Sequence, residues 1–109
     1  MMYREFIELS GKSDRYISNS EYITFIEPLY LQCDIDKYDF VTLLNVVFER
    51  IVYPIIDHEI DILSSTGNMD GAVPQIMDYL QAIDFEARKL AYQCISLYSK
   101  SQGKYKIPA

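Results

Sequence analysis

The sequence predicts an all-α protein: a small antiparallel helical bundle built on a long helical hairpin. Three observations predict it. Two long runs carry apolar residues at alternating spacings of three and four, a polar glycine-bearing joint lies between them, and half of the 109 residues are hydrophobic while only four are Gly and four are Pro. A chain of this length suits one domain and buries roughly two-thirds of its unfolded surface. We read one helical domain over residues 1–99 and a flexible basic tail over 100–109.

The elements follow in order. "MYREFIELS", ending before Gly11, fits a short helix. Ser18 and Glu21 have the spacing of a capping box opening "EYITFIEPLYLQ". That segment is rich in Tyr, Ile, Thr and Phe, which also favour strand, and Pro28 interrupts it. A helix kinked or broken at Pro28 is the prediction. The alternative is an α+β fold with a short N-terminal strand pair.

The next helix is expected from about residue 37 to 63. Asp36 serves as N-cap, Asp39 sits near the positive end of the helix dipole, and Val41, Leu44, Phe48, Ile51, Ile55, His58 and Ile62 form its apolar stripe. Pro54 lacks an amide hydrogen and crowds the preceding turn, so the helix should kink or restart there. "SSTGNMDGAVP" reads as the joint, with Pro74 suited to a first helical turn. A final helix over about 74–99 follows, with Ile76, Leu80, Ile83, Ala87, Leu90, Cys94 and Leu97 as its stripe. Gly103 and Pro108 mark the tail.

Charge narrows the function classes. Between residues 16 and 99 there are thirteen acidic residues and only four basic ones, Lys37, Arg50, Arg88 and Lys89. So acidic a body repels phosphate backbones, which argues against direct nucleic-acid binding and for a basic protein partner. Cys33 and Cys94 lie far apart in sequence with no second Cys or His beside either, which fits a reducing cytoplasm rather than a disulfide scaffold or zinc pair. The acidic N-terminus does not read as a secretory signal, and no apolar run reaches the roughly 18 residues of a membrane span, so a soluble cytoplasmic protein without membrane contact is expected.

Catalytic and metal motifs fail on spacing. His58, the single histidine, lies in "DHEID" at the edge of the apolar stripe, and Ile62 occupies the place where a zincin helix needs its second His. Asp34, Asp36 and Asp39 lack the glycine of a calcium loop, and "TGNMDG" begins and ends on the wrong residues. Neither a nucleophile elbow nor a phosphate-binding glycine loop is present. No enzyme activity, metal or cofactor is expected. A His58-centred metal enzyme is the weakest of the readings.

The ten tyrosines and five phenylalanines point instead to binding. Tyr53 projects away from the Ile55 stripe near Asp57 and Asp61, while Phe85 and Tyr92, with Asp78 in the same row, project away from the Ile83 stripe. Tyrosine gives a rigid contact surface with a polar tip, so Tyr53, Asp57, Asp61, Asp78, Phe85 and Tyr92 form the candidate partner-binding set. The structural alternative is that the N-terminal segments cover Phe85 and Tyr92 as a second core layer.

The leading expectation is a small acidic protein that inhibits a basic target stoichiometrically, because nuclease-like toxins need basic clefts that an anionic surface can occupy. In size, acidity and tyrosine content the chain resembles bacterial toxin-neutralising immunity proteins, including the helical-bundle kind. That resemblance implies a cognate toxin domain as partner. A phage anti-defence inhibitor or a nucleic-acid mimic would use the same physics. A helical regulatory subunit or homodimer, held by apolar surface rather than charge, is the second class.

Overall fold

The computed structural model describes residues 1–65, 73–101 and 107. Among the described residues there are four helices and no strand, so the predicted all-α fold holds and the alternative strand pair is not formed. Helix α1 spans Tyr3–Ser10 and ends at Gly11, whose φ of 71° is the left-handed conformation that closes the last turn. Helix α2 covers residues 19–32, α3 covers residues 37–65, and α4 spans Val73–Lys100. The expected hairpin boundaries of 37–63 and 74–99 hold within two residues.

Both expected N-caps are present. Ser18 Oγ accepts from the Glu21 amide at 3.0 Å, and Asp36 Oδ1 accepts from the Asp39 amide at 2.8 Å. The prolines are absorbed by one device used twice. In α2 a π-helical turn, Tyr22–Ile26, ends two residues before Pro28, and in α3 the π-helical turn Phe48–Val52 ends two residues before Pro54. A π turn takes one extra residue and widens the spiral, so the carbonyl that the proline ring would strike is displaced and needs no amide partner from it. Each helix therefore continues past its proline instead of restarting.

The core joins all four helices. Phe6, Ile17, Tyr22, Ile26, Phe40, Leu44, Val47, Phe48, Val52 and Ile95 are essentially inaccessible to solvent. α1 is tied down by Tyr3 Oη donating to the Ile17 carbonyl at 2.6 Å, and by the Lys37–Glu5 ion pair at 2.6 Å. Ile107, from the C-terminal stretch, packs against the same core.

The face that α4 buries differs from the expected one. Ala87, Arg88, Ala91, Tyr92, Cys94 and Ile95 are buried, whereas Leu90 and Leu97 of the predicted stripe are about half exposed. At 100° per residue this is a rotation of roughly 85°. The reason is that α4 is gripped from two sides. Tyr92 lies between Phe48 of α3, 5.9 Å between ring centroids, and Phe25 of α2, 5.5 Å away and nearly parallel. The second layer draws Tyr92 and Arg88 inward, so the far edge of the stripe turns out to solvent.

The hairpin outgrows its cover. No side chain of Tyr53–Ser65 is fully buried, and the molecule measures 47 × 30 × 19 Å, only about two helix diameters thick. The outer part of α3 and the first part of α4 thus form a two-helix extension, with Ile55 and Ile56 at its base packed against the core and Ile62 and Met77 largely exposed.

Candidate functional site

The outer hairpin carries most of the predicted set. On α3, Asp57 and Asp61 are exposed, and Tyr53 is 38% exposed with its hydroxyl accepting from Lys12 Nζ at 2.8 Å. Asp78 is exposed on α4. Tyr79 donates its hydroxyl to Glu59 Oε2 at 2.7 Å, clamping α4 to α3 across the extension. That bond to a carboxylate raises the Tyr79 pKa.

Between the two helices runs a groove of about 530 Å³. Ile56, Met77 and Leu80 give it apolar walls, Tyr16 and Tyr53 stand at the end nearer the core, and Asp57, Gln81 and Asp84 supply polar groups. Tyr53 and Asp57, eight and four residues from Asp61 in sequence, are the two predicted residues that the fold places in one cavity. Asp61 and Asp78 do not line it.

Phe85 and Tyr92 separate in role. Phe85 is half exposed, edge-on to Phe25 at 6.4 Å, with Lys89 Nζ 5.1 Å above its ring. Tyr92 is 6% exposed and belongs to the second core layer, so it is withdrawn from the partner-binding set. Its hydroxyl donates to Glu21 Oε2. Burial first, and then the Glu21 carboxylate, push its pKa far above the ordinary tyrosine value.

The arrangement around Arg88 escaped the sequence reading. Its guanidinium bonds Glu21 Oε1 at 2.8 Å and the Tyr16 carbonyl, lies 4.1 Å from the Tyr16 ring centroid, and has Asp84 Oδ2 2.9 Å from Nε. The Asp84 contact is an ion pair rather than a directed bond, since Nε–H has no aligned acceptor. Burial alone would lower the Arg88 pKa, but Glu21 and Asp84 outweigh it and raise it. Burial likewise raises the pKa of Tyr16. Glu21 therefore does not spend its carboxylate on a reciprocal cap at Ser18; both oxygens go to α4, fastening α2 to it. The visible clue was Asp84 four residues before Arg88, a helical ion-pair spacing.

His58, expected at the edge of the apolar stripe, is exposed, and among the described residues no group of three or more His, Cys, Asp or Glu side chains is placed to hold a metal. The "TGNMDG" stretch lies outside the described residues. No helix of the described residues is long and apolar enough to cross a membrane. What the extension offers chemically is carboxylates, tyrosine rings and an apolar cleft, a combination that attracts cationic groups bearing hydrocarbon stems. No protein-family model, curated protein or solved structure matches the chain.

Proposed function

We propose that this protein is a small acidic inhibitor that works by stoichiometric binding to a basic protein, without catalysis, in the manner of an immunity protein neutralising a nuclease-like toxin. One observation carries the reading. In residues 53–65 and 75–83, the hairpin stretch that projects from the core, there are four carboxylates, Asp57, Glu59, Asp61 and Asp78, and not one Lys or Arg.

Concentrating one sign of charge on a thin projection costs some stability through self-repulsion, and the return is a long-range pull on a cationic surface. Exposed Tyr53, Met77 and Tyr79 on the same projection, with half-exposed Phe85 beside it, supply the short-range contact that charge alone does not. The apolar groove gives a partner's Lys or Arg stem a place to lie.

The experiment is capture of the partner from the native host, followed by association kinetics with the purified pair. Asp57→Lys with Asp61→Lys should slow association by about tenfold or more at low ionic strength, and added salt should slow the unaltered protein similarly. Association rates unaffected by both changes would sink the proposal.

A further inference from the structure

The rotation of α4 leaves a row of side chains with an order of its own. Glu86, Leu90, Gln93, Leu97 and Lys100 follow at spacings of four, three, four and three, and all five are exposed, the two leucines at 52% and 49%. Half-exposed leucines one heptad apart on a 28-residue helix are the knobs of a helix-pairing seam.

The row is also self-complementary. About Gln93 it is symmetric in apolar content, with one leucine on each side, and opposite in charge, with Glu86 at one end and Lys100 at the other. We infer that α4 pairs with α4 of a second copy of this chain, antiparallel, about a twofold axis passing near Gln93. In that register Leu90 packs against the partner copy's Leu97, Glu86 meets its Lys100, and the two Gln93 amides face each other, so every contact occurs twice as an isologous interface requires. A parallel pair would set Glu86 beside Glu86 and Lys100 beside Lys100. Charge therefore selects the antiparallel arrangement.

Among the described residues these charges are only loosely held. Glu86 has Lys89 Nζ at 3.5 Å, an exposed pair of a kind that contributes little and is easily exchanged. The row is about 21 Å long at 1.5 Å per residue, shorter than a standard interface demands, so the dimer is a weak one that forms with concentration. It stands apart from the inhibitory reading, because Asp57, Asp61 and Asp78 are outside the row.

Sedimentation equilibrium over rising protein concentration, up to about 1 mM where weak pairs assemble, tests this. The unaltered chain should pass from monomer to dimer and no further. Leu90→Asp with Leu97→Asp should weaken dimerisation at least about tenfold while the helical circular dichroism persists, since both side chains are already half in water; if that variant fails to fold, Leu90→Ala with Leu97→Ala serves instead. Glu86→Lys alone and Lys100→Glu alone should each weaken it, and the two combined should restore it. A monomer at every concentration, a dimer indifferent to the leucines, or charge exchange without restoration overturns the inference.

Discussion

Arg88 shows how one residue can fix the packing of two helices. Its side chain is 9% exposed and its two carboxylate partners, Glu21 and Asp84, are 17% and 29% exposed. Removing the guanidinium leaves both acids without their counter-charge. A fully buried pair broken this way costs about 3–5 kcal/mol, and residual hydration of the acids reduces that, so Arg88→Ala should lose about 2–3 kcal/mol in chemical denaturation. Arg88→Lys should recover only part, because an ammonium cannot reach Glu21 and the Tyr16 carbonyl with one planar fork. A loss below about 1 kcal/mol for the alanine variant would mean that the pair is not holding α2 to α4.

The buried tyrosines set the alkaline limit. Burial raises the pKa of Tyr22 from 10.0 to about 12 and raises those of Tyr16 and Tyr92 as well. A phenol that holds its proton more tightly when folded contributes stability that is whole below the unfolded value near 10 and is lost as pH rises through the folded value. Stability should accordingly fall between about pH 10 and 12, with these three ionising as the helices melt. Tyrosinate absorbance followed alongside circular dichroism reads this directly. If all ten tyrosines titrate near the ordinary value while the helix signal stays intact, the burial argument fails.

At the scale of elements, the paired π turns explain why proline does not end either long helix. The sequence placed Pro28 and Pro54 correctly as disturbances, but whether a chain answers a proline by breaking, kinking or inserting a residue depends on what it must pack against on both sides. Here Phe48 and Val52, the first and last residues of the α3 π turn, are both fully buried, so the inserted residue keeps the apolar face in register across the proline. Deleting exposed Glu49 should convert this turn to plain α-helix and expose the ring clash, costing about 3 kcal/mol. The same deletion combined with Pro54→Ala should be close to neutral. Thermal melting of the two variants separates the cases, and equal losses in both would show that the extra residue has another purpose.

At the scale of the whole molecule, stability should grade along the hairpin. Residues 40–52 and 87–95 lie in the four-helix core, whereas 53–65 and 75–83 form the acidic two-helix extension with half-buried apolar contacts. Few buried contacts and unbalanced charge lower the free energy of local opening. Amide hydrogen exchange should therefore be slowest in the core part of α3 and α4 and several orders faster beyond Tyr53 and before Ile83, with salt slowing exchange selectively in the extension. Uniform protection along both helices would contradict this gradient.

What the sequence by itself determined was the local order: helices at about 37–63 and 74–99 from their three-and-four periodicity, caps at Ser18 and Asp36 from side chains that bond amides three residues on, and the strongly acidic body from composition alone. These depend on neighbours within a turn or two, which the sequence states outright. The face that each helix buries was decided by the tertiary structure, because an apolar arc on α4 is wider than one neighbour can cover and the arrival of α2 chose its edge. That choice drew Tyr92 and Arg88 inward and turned Leu90 and Leu97 outward, neither of which follows from spacing along the chain.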